Sequence, residues 1–187
     1  EEMLMILEAS KEQCPQLTAF FAIGFFTGIR TGEIMALTWE DIDLNRHKIM
    51  VSKTMTEGQL KLTTKTGVNH ENDIIRELDP YLIEHKKNHL RGEGALFLNQ
   101  YDNPVQSYNS IVAFWKPLLD SLEIRYRTPY QMRHTFATIM LKQGHDPNCV
   151  KNMLGHANLD MLFKIYVNWY QPDSKRKPLG IKKEVTA

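Results

Sequence analysis

Residues 17–26 read LTAFFAIGFF, apolar on nearly every side of a helix, with Pro15 ahead of the run and the corner Thr27-Gly-Ile-Arg-Thr-Gly-Glu33 behind it. A helix without a polar face cannot lie on a surface; other elements have to wrap it. The run is too short for a bilayer, which takes about 20 residues to span, and Gly24 interrupts it. The expectation is a buried central helix in a globular domain. The length of 187 residues fits one such domain. A membrane protein, a disulfide scaffold and a disordered tail are thereby disfavoured. The two cysteines, Cys14 and Cys149, are far apart and without a partner motif, as suits a reducing cytoplasm. The chain opens at Glu1, already in a helical pattern, and reads as a piece of a longer protein.

Around the apolar run the punctuation is regular. Residues 3–12 form a helical pattern that ends before Pro15, and a helical pattern resumes over 33–41 after the glycine-bounded corner. From Lys48 come short extended runs, 48–53, 59–64 and 73–78. Glu57-Gly58 makes one turn and Thr66-Gly67 opens a longer polar connection, so a small antiparallel sheet is expected. Helices are predicted at 80–91 and 107–122, the second with Pro117 as a kink point, and a short strand at 95–99. Thr128-Pro129 reads as an N-cap followed by a first-position proline, and Gly144 closes that helix. Asp146-Pro147 opens another, which Gly155 ends, and Asn158 caps a third reaching about Tyr170. The fold class is mainly α with a small antiparallel β-sheet (α+β), as a domain over 1–171 followed by a basic tail over 172–187.

The charge balance is uneven. Overall 23 Lys+Arg face 22 Asp+Glu, but residues 1–124 hold 12 against 18 and residues 125–187 hold 11 against 4. A basic C-terminal third permits a phosphate-facing surface; a solvated basic tail gives the same count.

Three places could carry chemistry. Arg30 stands just before a helix, where free N–H groups and the helix dipole favour an anion and a guanidinium fork matches phosphate oxygens; the alternative is an ordinary ion pair with Glu33 or Glu40. Tyr130, Arg133 and His134 share one helical face at i, i+3 and i+4, either for a phosphate or carboxylate or as packing at the core edge. Leu154-Gly-His156 places an imidazole at a helix end, with Tyr166 on the next helix, reachable only through a turn at Ala157-Asn158. His85 and His89 have an i, i+4 spacing but no third ligand in any motif, so no metal is assigned.

Taken in order, Thr27-Gly-Ile-Arg-Thr-Gly-Glu-Ile-Met-Ala-Leu-Thr-Trp-Glu-Asp-Ile-Asp43, Thr128-Pro-Tyr-Gln-Met-Arg-His-Thr-Phe-Ala-Thr138, Leu154-Gly-His156 and Lys164-Ile-Tyr166 resemble the catalytic domain of tyrosine recombinases, most closely phage integrases. The resemblance spans nearly the whole chain. It implies a mainly helical catalytic domain with a small antiparallel sheet. It also implies site-specific strand cleavage and rejoining through a 3′-phosphotyrosine, without metal, ATP or cofactor.

By this resemblance Arg30 and Arg133 clamp the scissile phosphate, His156 hydrogen-bonds it, and Tyr166 is the nucleophile. Lys65, in Thr63-Thr-Lys-Thr-Gly67, matches the hairpin lysine that protonates the leaving 5′-oxygen, with Lys61 and Lys53 as fallbacks. Glu33 and His134 are supporting residues. Tyr130 occupies the place where the family usually has histidine; a phenol with pKa near 10 is a poor base where an imidazole near 6.5 is a good one. The implied partner is double-stranded DNA at attachment sites, bound by a homo-tetramer that exchanges C-terminal segments, in the cytoplasm of a bacterium or phage-infected host. An upstream core-binding domain, and in some members an arm-binding domain, is expected in the longer protein. The rival readings are a type IB topoisomerase and a helix-turn-helix-like regulator using 147–153 and 159–170.

Overall fold

Helix α2 (Pro15–Thr27) is buried at every residue from Leu17 to Thr27, as its composition demands. Pro15 starts it, and at its far end Gly28, with φ +68, donates its N–H to the Gly24 carbonyl. The computed structural model describes residues 1–64, 67, 69–89 and 93–155. Around α2 pack α1 (Glu2–Gln13), α4 (Asp79–Asn88) and α6 (Gln131–Lys142). Its phenylalanines meet aromatic partners: Phe20 stacks edge-on against Phe97, Phe21 tilts against Trp115, and Phe26 against Tyr81. Each buried Phe contributes about 1.5–3 kcal/mol of hydrophobic stabilisation. Ser10 in α1, fully buried, joins the first two helices: its hydroxyl donates to the Leu7 carbonyl and its oxygen lies 3.2 Å from the Thr18 hydroxyl.

Among the described residues, two antiparallel sheets interrupt the helices. One orders β1 (Ile42–Asp43), β2 (Lys48–Val51) and β5 (His70–Asp73); the other pairs β3 (Thr54–Thr56) with β4 (Gln59–Lys61). Glu57 and Gly58, at φ +51 and +77, form the tight turn between β3 and β4, where positive φ at both residues matches the strand twist. That hairpin rests on the corner after α2. The Met55 carbonyl lies so close to Gly32 that an added Cβ would meet it at 2.6 Å.

Several expected elements shift. The helix expected over 33–41 is only α3 (Thr31–Met35). Leu37 then leaves to accept from Leu96 N–H at 2.9 Å, and a 3-10 turn at Trp39–Asp41 follows, held by Asp41 Oδ2 accepting from the Thr38 N–H and hydroxyl. The strand expected at 95–99 is reduced to isolated bridges, Thr38 with Ala95 and Leu98 with Pro104. The side chains of His85 and His89 bind the Leu96 and Ala95 carbonyls there instead. The run 73–78 is not a strand: β5 ends at Asp73, and Ile74 and Leu78, both buried, straddle the turn into α4.

Helix α5 (Tyr108–Ser121) is capped by Ser107 Oγ accepting from Asn109 N–H, and it contains Pro117. Thr128 does not cap α6. The helix starts at Gln131 with Tyr130 at the cap position, and it is the Thr128 carbonyl that accepts, from the Gln131 N–H at 2.9 Å. Asp146 does cap α7 (Pro147–Met153), accepting from the N–H groups of Asn148 and Cys149. Phe136, Ala137, Val150, Met153 and Leu154 form a second small core that seats α7 on α6.

Candidate active site

The corner after α2 and the end of α7 come together, and both arginines are there. Arg30 stands at the cap position of α3. Glu33, fully buried, accepts from the Arg30 backbone N–H with Oε2 at 3.1 Å and from Arg30 Nη1 with Oε1 at 3.0 Å. The same carboxylate thus closes the first turn and fixes the guanidinium, whose Nη2 donates to the Gly155 carbonyl at 3.2 Å. The partner is Glu33 and not Glu40, which instead accepts from the Gly94 N–H.

Arg133, on α6 and only 3% exposed, donates from Nη1 to the Gly28 carbonyl at 2.7 Å and from Nη2 to the Leu154 carbonyl at 2.6 Å. Two guanidiniums from distant parts of the chain therefore end on consecutive carbonyls, Leu154 and Gly155. A guanidinium has five N–H donors in a rigid fork, so such anchoring fixes its plane while leaving Arg30 with donors to offer an anion. Electrostatic catalysis asks for donors already in place.

Of the residues sharing the α6 face, Tyr130 is 39% exposed and its ring meets that of His134 edge-on at 5.2 Å. Burial, and then the neighbouring Arg133 charge, pushes the His134 imidazole below its usual pKa. Lys53 is tied to Asp41 at 2.7 Å and to Thr38 Oγ1 at 3.2 Å. Lys61 lies on the exposed strand β4. Lys65, His156 and Tyr166 lie outside the described residues, as does the segment 172–187.

Two polar side chains that the sequence reading passed over belong to this place. Both lie on β5, in what reads as a polar connection. Asn72, fully buried, donates from Nδ2 to the Thr27 carbonyl at 3.0 Å and the Met153 carbonyl at 2.8 Å. The His70 ring packs against Gly155, where an added Cβ would meet it at 3.0 Å. The only signal in the sequence is a His-Glu-Asn-Asp run that is too polar to look like a strand.

A profile of the phage integrase family matches residues 1–171. The chain belongs to the phage integrase family. Among its relatives in the family, a tyrosine recombinase XerC-like protein of Caldanaerobacter subterraneus subsp. tengcongensis is 29% identical, the alignment covering 90% of this chain and 49% of that protein. Prophage integrase IntR of Escherichia coli strain K12 is 27% identical, over 90% of this chain and 46% of its own length. The chain thus spans about half the length of the curated relatives it matches. A Tn1549 transposon integrase, solved in complex with circular intermediate DNA, superposes with a TM-score of 0.76 over 88% of this chain and 60% of that one, at 21% identity. At that identity the likeness is one of fold, and it is the mainly helical fold with small antiparallel sheets expected from the sequence. Among the described residues, no helix is long and apolar enough to cross a membrane.

Proposed function

We propose that this chain is the strand-cleaving part of a site-specific DNA recombinase of a phage or mobile element, acting through a covalent 3′-phosphotyrosine. The observation that carries the reading is the meeting of Arg30 and Arg133 on the Leu154 and Gly155 carbonyls, one residue ahead of His156. The two guanidiniums and His156 take the non-bridging oxygens of the scissile phosphate. Tyr166, its phenol proton given up to solvent, attacks phosphorus through the phenolate oxygen, the bond from phosphorus to the 5′-oxygen breaks, and Lys65 Nζ delivers a proton to that oxygen. One phosphodiester bond is exchanged for one phosphotyrosine bond, so the energy needed for rejoining is retained and ATP has no part in the step. Attack by a 5′-hydroxyl of another duplex reverses it and exchanges strands.

Tyr130, exposed and phenolic, serves as a hydrogen-bond donor to the phosphate or its neighbours. Glu33 holds Arg30, and His134 supports the same face of α6. The working protein is proposed to be a cytoplasmic homo-tetramer on double-stranded attachment-site DNA, with an upstream core-binding domain completing the clamp and the basic tail 172–187 exchanged between subunits. This chain alone, without the upstream domain, is expected to bind DNA weakly.

The test is a nicked suicide substrate, on which cleavage releases a short strand and traps the protein. A denaturation-resistant adduct is expected with the full-length protein and is expected to vanish in Tyr166→Phe and Arg133→Ala. An adduct persisting in Tyr166→Phe and lost in Tyr170→Phe moves the nucleophile. Metal-free relaxation of supercoils by a monomer, without dependence on a site, turns the reading toward a topoisomerase.

A further inference from the structure

The corner at Thr27 and Gly28 and the end of α7 are joined twice, by side chains that belong to neither. Arg133 bridges the Gly28 and Leu154 carbonyls. One residue back on both segments, Asn72 bridges the Thr27 and Met153 carbonyls. The result is a pair of parallel rungs, one charged and one neutral. Asn72 sits on β5 opposite Ile49 of β2, a buried strand position where an apolar, β-branched residue is the ordinary occupant. A buried amide is costly unless bonded, and Asn72 Oδ1 has no hydrogen-bond partner among the described residues. Its two donors satisfy two buried carbonyls of separate segments, and in doing so they set how far apart those segments stand.

We propose that Asn72 is a positioning residue. Its amide fixes the spacing between the corner that carries Arg30 and the α7 end that leads to His156, and so holds the Arg133 guanidinium, bonded to both segments, in the place and plane that the clamp needs. This rests on the reading of Arg30 and Arg133 as the phosphate clamp. Removing the amide leaves the Thr27 and Met153 carbonyls buried without this donor, and the neutral rung is lost while the charged one remains. A misplacement on the order of 1 Å at a reacting centre costs about a hundredfold in rate.

The experiment uses the full-length protein with Asn72→Val, which removes both bonds, and Asn72→Thr, which keeps one hydroxyl donor. Three readouts are taken: DNA affinity, the single-turnover rate of adduct formation at saturating nicked DNA, and amide hydrogen exchange at Gly28, Leu154 and Gly155. All three amides are hydrogen-bonded within their own turns. Asn72→Val is expected to remain folded and to bind DNA as the wild type does, with adduct formation slowed about a hundredfold; a loss confined to turnover is the mark of an interaction made in the transition state. Asn72→Thr is expected to fall between. The three amides are expected to exchange faster in Asn72→Val.

A wild-type adduct rate in Asn72→Val overturns the proposal. So does affinity falling in step with rate, unchanged exchange at the three amides, or loss of fold in both variants. If the wild type itself forms no adduct, the clamp reading fails separately, and the exchange data still decide whether Asn72 sets the spacing.

Discussion

Gly28→Ala tests the junction from which the site is built. Gly28 caps α2 with φ +68, and a Cβ placed there lies 2.5 Å from Phe136 Cδ1 and 2.7 Å from Leu154 Cδ2. Two costs add. An L side chain in the left-handed region costs about 1–2 kcal/mol. The methyl also has to force apart two residues of the small core that seats α7, and overpacking of that kind costs about 1–3 kcal/mol. The substitution is expected to lower the unfolding free energy by about 2–5 kcal/mol, a large part of the roughly 5–15 kcal/mol that holds a domain together.

Gly144 isolates the first cost, since it has φ +85 and nothing within 4 Å of a built Cβ. Gly144→Ala is expected to lose about 1–2 kcal/mol. Urea unfolding followed by circular dichroism measures both variants in one buffer. Phe136→Ala in the Gly28→Ala background is expected to cost less than in the wild type, because it removes the ring that the methyl strikes. Equal losses for the two glycine variants, or an additive double mutant, refute the packing argument.

Further outcomes follow from buried groups. Glu33→Gln removes the charge facing Arg30 in a pair whose side chains are 0% and 12% exposed; an urea titration is expected to show a loss near the lower end of the about 3–5 kcal/mol that breaking a buried pair costs. Burial lowers the pKa of both His85 and His134. The unfolded chain therefore binds more protons between the ordinary imidazole pKa and the lowered values, and stability is expected to be full above about pH 6.5 and to decline as pH falls through that window; thermal melts from pH 8 to 5 check the sign. Burial pushes the Cys14 thiol up to about 11, while Cys149 is exposed, so a thiol reagent at pH 8 is expected to modify Cys149 rapidly and Cys14 only after unfolding.

The elements written in apolar pattern and punctuation were legible from the sequence. The all-apolar run at 17–26 required a central helix, Asp146-Pro147 marked a helix start, and the glycines around Arg30 marked the corner. Convergence of Arg30 with Arg133 was suggested by motif order but not by spacing, because the bonds that join them run to backbone carbonyls, which every sequence contains. Strand β5 was hidden for a related reason. Its buried position is filled by Asn72, which serves carbonyls of two other segments, so the alternation that marks a strand is absent where the strand matters most. The strand expected at 95–99 failed in the opposite sense: Leu96 and Phe97 are buried, but the imidazoles of His85 and His89 take the Leu96 and Ala95 carbonyls.

The central claim is that a tyrosine beyond α7 attacks a phosphate held by Arg30 and Arg133. The most direct measurement is to trap the adduct on nicked attachment-site DNA, digest protein and DNA, and locate the nucleotide-bearing residue by fragmentation mass spectrometry. Trypsin leaves residues 165–175 as one peptide carrying both Tyr166 and Tyr170, and fragmentation between them separates the two. The account predicts the nucleotide on Tyr166, with no adduct in Arg30→Ala or Arg133→Ala. A nucleotide on Tyr130, or an undiminished adduct in either arginine variant, would contradict it.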